Sequence, residues 1–360
     1  MKQLLRITTT LTLAFVITMG TAFAQSNDAS LDQSGDDNDA MVEQVGSSNE
    51  AALTQRNYSD WPGHEANLLQ DGSGNTANVL SQGGVGTNMV DLNQIGESND
   101  ATIAQFWGQN TAEIAQTGDE NVVNVQHRGS YQSTAEVTQD GAGNFAEILD
   151  IGQTPSNPNT GNEAVIDQDG SNNEGIVDQA GDDHSASIAQ TGDDNYTDVL
   201  QEQGGNSFTQ RMTGGDDNDV TVEQRSADNN ASIEIWGDGN DFNITNKASG
   251  GGNDLYLNAR GTGPGADGSS ASAVDNNEFD LTTEGSGNLV DAGISGQGND
   301  VDILQGGSYN SVDGSTGLFD ADGVQINGNG NMVDISQMSD MNTATVTVSG
   351  SSNSATVTQN

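Results

Sequence analysis

An asparagine that returns every eleven residues constrains the fold of this 360-residue chain more than any other feature. Asn stands at 27, 38 and 49; at 88, 99, 110 and 121; at 162 and 173; at 195 and 206; at 218, 229 and 240; at 277, 288, 299 and 310; and at 331, 342 and 353. Ser133 fills a slot between Asn121 and Asn144, and His184 fills one between Asn173 and Asn195. Self-similarity at a fixed period is the signature of a repeat architecture. An eleven-residue period also suits a right-handed helical supercoil. Each unit here carries Gly, however, and Asn, Asp and Thr are poor helix formers. The other residues alternate apolar with polar, which is strand periodicity.

The unit NTAEIAQTGDEN, residues 110–121, shows what the alternation does. In a strand Asn110, Ala112, Ile114 and Gln116 share one face, and Thr111, Glu113 and Ala115 share the other. The acid marks the second face as the wet one. TGDE then reads as a turn, with Gly118 free to take positive φ. One short strand cannot bury its inner face alone. Two consecutive units form an arch, one rung takes 22 residues, and rungs stack at about 4.8 Å. The expected fold is all-β: a β-solenoid of stacked β-arches built from 11-residue half-repeats. Stacking brings Asn over Asn and Gln over Gln, so each amide finds donors and acceptors along the axis. An isolated buried amide would cost roughly 2–7 kcal/mol. The inward ladder is expected to include Asn38, Gln44, Asn99, Gln105, Asn110, Gln116, Asn162, Gln168, Gln179, Gln190, Asn353 and Gln359, with turn glycines at Gly46, Gly96, Gly118, Gly170 and Gly192. Small Ala beside each Asn lets the sheets approach. The length accommodates about 12–15 rungs, or roughly 60–70 Å of solenoid.

Residues 1–24 carry Lys2 and Arg6, an apolar stretch and then Ala22-Phe23-Ala24, the pattern of a secretory signal peptide. Its removal leaves six basic residues against 53 acidic ones, a net charge of −47. Such a chain lacks the Lys and Arg clusters that nucleic acid requires, and it is repelled by anionic lipid. There is no Cys, so no disulfide holds this secreted chain. Apolar residues make up only 32% and aromatics 4%, a composition that alone suits a disordered acidic segment. The periodicity argues for a solenoid instead.

Proline removes a ladder donor and is expected only outside the inner strands. Pro62, Pro155, Pro158 and Pro264 all fall in interruptions of the period, read here as loops bulging from turns; GSTGLFDADG, 314–323, is a further break. Residues 27–230 repeat well. Those from 231 to 360 diverge, with larger residues in the Ala slot as in NDFNI (240–244) and NEFDL (277–281), and the inner Gln often lost. A wider, more apolar section is expected from about 240 to 340, within one solenoid spanning 25–360. A second domain starting near 240–260 is the alternative.

The unit N-x-A-x-φ-x-Q-x-G-x-x-N, where φ is aliphatic, resembles the curlin repeat of curli subunits, secreted bacterial functional amyloids. It is carried by NDAMVEQVGSSN (38–49), NDATIAQFWGQN (99–110), NTAEIAQTGDEN (110–121), NEAVIDQDGSNN (162–173) and HSASIAQTGDDN (184–195). The resemblance implies an extracellular fibre subunit at the cell surface, active in adhesion and biofilm matrix. It also implies self-association, a nucleator subunit and export through an outer-membrane pore. The chain is longer and more acidic than a typical curlin.

Enzyme chemistry finds little footing. There is no Cys nucleophile, and His64, His127 and His184 are far apart in sequence. The acids fall on outward positions or in turns. GTGPG lacks the strand-helix context of a phosphate loop. No cofactor is implied. A calcium-binding adhesin or matrix protein that stays monomeric is the alternative. GGGNDLYLN (250–258) resembles one calcium-binding nonapeptide, and acidic turns such as GDDN (192–195) and GDGND (237–241) offer loose oxygen ligands. A carbohydrate-active β-helix enzyme is a weaker alternative. The segments QSNDASLDQSGDDN and NSATVTQN, at the two ends of the mature sequence, both read as repeat strands. They are expected to offer open edges for stacking.

Overall fold

The computed structural model describes residues 26–57, 62–83, 86–151, 159–246, 251–260, 276–312 and 323–360. The signal segment 1–24 lies outside them, as do Pro155, Pro158 and Pro264. The chain forms an all-β solenoid of two parallel sheets. Asp28–Ser34 belongs to the first sheet, Asp39–Ser47 to the second, and Glu50–Asn57 returns to the first. This alternation continues to Ser354–Gln359. Among the described residues fourteen strands follow one another along the first sheet and thirteen along the main path of the second.

Register follows the repeat residue by residue. Thr111–Asp119 pairs with Met89–Glu97 on one side and Thr134–Ala142 on the other, setting Ala on Val or Ala, Ile on Leu or Val, Gln on Gln and Gly on Gly. A one-residue slip would turn every inner side chain to water, so the pattern itself fixes the pairing. Between the sheets lie two apolar columns from each, of which Ala112 and Ile114 are typical and fully buried. Each aliphatic contributes about 1.5–3 kcal/mol by leaving water.

In the divergent region the Gln column turns apolar in one sheet only, starting before the expected 240, while the first sheet carries Phe242 and Phe279 in its Ala column. In the second sheet the Gln column ends at Gln190 and continues as Met212, Ile235, Ala259 and Ile294, each paired with the one before. In the first sheet Gln305, Gln337 and Gln359 persist. Strand pairing crosses the 240–260 region in both sheets: Asp219–Gln224 pairs with Asp241–Asn246, and that with Glu278–Thr283; Asn230–Trp236 pairs with Asp254–Arg260, and that with Leu289–Ser295.

The interruptions are of two kinds. Pro62 is exposed in a connection between sheets, as a missing N–H requires. The 314–323 break does not sit at a turn. Val290 pairs with Val312, and Ala292, two residues on, pairs with Val324. The insertion therefore leaves the middle of a strand, at the position opposite Asp291, whose neighbours Val290 and Ala292 both face the core. Val312 and Val324 on either side of it are both fully buried, so both apolar columns continue across the break, which explains how a strand tolerates it.

Candidate functional site

The first-sheet asparagines form one ladder. The backbone N–H of Asn99 donates to Asn75 Oδ1 at 3.0 Å, and its own Nδ2 donates to the same oxygen at 3.1 Å. Asn121 repeats both bonds onto Asn99 Oδ1 at 3.1 and 3.2 Å. The same backbone bond links each rung from Asn49 onto Asn27 up to Asn353 onto Asn331. The free amide hydrogen of Asn99 reaches the Gly118 carbonyl, 2.8 Å away in the turn of the next rung. One side chain thus satisfies a backbone donor and a backbone acceptor that the corner leaves without strand partners, and this is the physical reason for the asparagine.

The glutamines clamp across the core. Gln116 Nε2 donates to Gln139 Oε1 at 3.0 Å and to the Asp100 carbonyl of the other sheet at 3.2 Å. Gln168 and Gln190 continue this column, with Gln168 Nε2 2.9 Å from Gln190 Oε1. In the first sheet Gln179 Nε2 donates to Gln201 at 3.0 Å. Gln105 breaks the run: its Nε2 reaches the Met89 carbonyl at 3.1 Å, while its partners in register are Ser81 and His127. Asn110 and Asn162 are buried in the second-sheet column. At one end Asn38 and Gln44 are half-buried, and Gln44 donates to Gln70 at 2.8 Å. At the other end Asn353 is exposed and Gln359 half-buried, accepting from Gln337 Nε2 at 2.8 Å.

Gly46, Gly96, Gly118, Gly170 and Gly192 all have positive φ, and they stack along the second sheet. A Cβ on Gly118 would lie 2.0 Å from the Gly141 carbonyl oxygen. The left-handed backbone and this approach both require glycine. A second left-handed residue precedes the ladder asparagines. It is Gly in GSGN and GAGN, but Ser98, Glu120 and Asp194 take φ of 58°, 57° and 57°. Sequence reasoning did not single out this position.

It also missed two inner polar residues, although the signal was present. The Gln slot lies six residues after each Asn. Counting from Asn121 gives His127, and from Asn144 gives Asp150. The structure stacks His127 between Gln105 and Asp150, both His127 and Asp150 being 1% exposed. One acid therefore faces inward, contrary to the expectation that all face water. Asn162 Nδ2 donates to Asp150 Oδ1 at 3.0 Å. Burial holds the His127 imidazole well below its usual range, opposed by the Asp150 charge. His64 and His184 occupy Asn slots of the second sheet. His64 N–H donates to Asn38 Oδ1 at 3.0 Å and His184 N–H to Asn162 Oδ1 at 2.9 Å.

The outer faces carry the acids. Asp280, Asp302 and Asp334 stack on successive rungs. Asp178 and Asp302 have carboxyls raised above the usual range, first by partial burial and then by acids such as Asp198 and Asp334. In the turns, Ser171 and Asp193 donate backbone N–H groups to Asp193 and Asp216 Oδ1, both at 2.8 Å. Among the described residues no group of three or more His, Asp or Glu side chains is placed to hold a metal ion. Within GGGNDLYLN, Asn253 is an ordinary ladder residue whose N–H donates to Asn229 Oδ1 at 3.2 Å.

Comparison with curated proteins finds no match. The curlin associated repeat matches residues 24–56, 160–192, 215–245 and 328–360. Each matched segment covers about three consecutive half-repeats, and together they include both outermost rungs of the described stack. With its amide ladders, its glycine turns and these four matches, the chain carries curlin associated repeats in four separate segments.

Proposed function

We propose that the chain is a secreted structural subunit, not an enzyme, which polymerises end to end into an extracellular fibre for cell adhesion and biofilm matrix. One observation carries the reading: the two outermost described rungs complement each other. Asp28–Ser34 follows Asn27 and reads N-D-A-S-L-D-Q; Ser354–Gln359 follows Asn353 and reads N-S-A-T-V-T-Q. Within the stack each Asn Oδ1 accepts from the rung that follows, and each laddered Gln Nε2 donates to it. Docking Asp28–Ser34 of one copy on Ser354–Gln359 of another would set Asn353 Oδ1 under the Asn27 N–H and Gln359 Nε2 under Gln33 Oε1. This is strand addition with a matched core. A signal at 1–24, an outer-membrane export pore and a nucleator subunit fit the same reading. So does loose calcium binding by acidic turns, as a screen for charge. The adhesive ligand would be neutral or cationic, given the net charge.

Thr356→Pro deletes a ladder N–H on the outermost strand without touching the core columns. Thioflavin fluorescence and electron microscopy should show fibre growth blocked at that end while circular dichroism stays β. Unchanged growth from both ends would rule out this interface.

A further inference from the structure

All three histidines sit in ladder slots, and two of them replace an asparagine as a hydrogen-bond acceptor. His64 Nδ1 receives the backbone N–H of Asn88 at 3.2 Å, and His184 Nδ1 receives that of Asn206 at 3.4 Å. His64 Nε2 lies 3.3 Å from the Arg56 carbonyl, so it carries the ring proton and Nδ1 is left as the acceptor. Both rings are 1% exposed. An asparagine in this slot accepts at any pH. A histidine accepts only while neutral, because the imidazolium has N–H at both nitrogens. We infer that His64 and His184 make two rungs of the solenoid acid-labile, so that acidification opens the stack at 64/88 and 184/206 while neighbouring Asn rungs stay closed.

The surroundings of the two rings differ. Among the described residues only backbone groups bear on the charge of His64, the Arg56 and Gly83 carbonyls, with Asn38 and Asn88 on the flanking rungs. Asp150, Asp182 and Asp183 bear on His184, with the Ala180 carbonyl and the flanking Asn162 and Asn206. Burial lowers both imidazoles below the ordinary 6.5, and those carboxylates oppose the shift only at His184. A lowered folded-state pKa means that the folded chain binds fewer protons than the unfolded one. Stability conferred by the neutral ring is therefore complete above about 6.5 and declines as pH falls below it, down to the folded-state value.

Amide hydrogen exchange on the full mature chain tests this locally. Between pH 7.5 and pH 5, protection factors at the Asn88 and Asn206 amides should fall severalfold, because the folded-state pKa of each ring lies below its unfolded value. The Asn110 amide, bonded to Asn88 Oδ1 at 3.2 Å, should change less. In His64→Asn with His184→Asn, which restores the acceptor of the flanking rungs, the Asn88 and Asn206 amides should hold within about twofold. Equal loss in wild type and double variant, or none in wild type, overturns the inference. Independently of how the variant folds, proton NMR titration of the wild-type ring Cε1–H signals must give both pKa values below 6.5; values at or above it overturn the inference as well.

Discussion

At the scale of a single residue, the structure separates side chains that share a strand by what they complete. Asn99 Oδ1 takes both the N–H and the Nδ2 of Asn121, and its Nδ2 serves Gly118. Asn99→Leu would fill the space yet strand two buried backbone groups, each costing roughly 1–3 kcal/mol. We expect a loss of about 2–6 kcal/mol, read as a lower urea midpoint. Gln116→Lys should be at least as damaging, because it buries a charge among amides. Thr111→Lys, on the outer face of the same strand, should stay within about 0.5 kcal/mol. Equal effects at the three positions would mean that the faces are assigned wrongly.

At the scale of the half-repeat, two backbone positions two residues apart behave oppositely. Gly118→Ala drives a Cβ to 2.0 Å from a carbonyl oxygen and should cost on the order of 3 kcal/mol or more. Glu120 has φ of 57° with a side chain in open solvent. A non-glycine residue there costs roughly 1–2 kcal/mol, partly offset by the entropy that glycine loses. Glu120→Gly should therefore be neutral or stabilising by up to about 1 kcal/mol in the same urea experiment. The strand, its facing and its register were legible in the sequence because alternation and period are one-dimensional. What the amides bond to was not, since Asn99 meets a carbonyl 19 residues away in the next turn. Asp150 and His127 went unread because acids and histidines were judged by type, although both lie six residues after an Asn. The exit of 314–323 from mid-strand was hidden for another reason. An insertion shifts the eleven-residue count by the same amount whether it leaves a corner or a face.

At the scale of the whole molecule, charge opposes stacking. Two carboxylates about 4.8 Å apart repel by roughly 0.9 kcal/mol in water, and columns such as Asp280, Asp302 and Asp334 repeat that contact. Screening shortens from about 8 Å at physiological salt to about 3 Å at 1 M. Folding and assembly should accelerate with salt, and more with calcium, in stopped-flow and thioflavin traces; a maximum in salt-free neutral buffer would contradict this. The raised carboxyls give a pH dependence of opposite sign to the histidines. A group whose folded-state pKa is raised lends stability that is complete below its unfolded value, here 3.8 for Asp178 and Asp302, and lost as pH rises through the folded value. With His64 and His184 replaced by Asn and His127 by Gln, urea midpoints should rise as pH drops from 7 toward 4.5. In the wild type that gain should be blunted.

The two amide columns have one further consequence. Asn side chains point N–H toward the preceding rung, and laddered Gln side chains point N–H toward the following one. Their dipoles therefore run antiparallel along the axis, side by side through the core. A rung added at either end lengthens both columns together where both persist, so the fields tend to cancel instead of accumulating as they do along a helix. Such a cable can be extended without its tips becoming progressively more polarised.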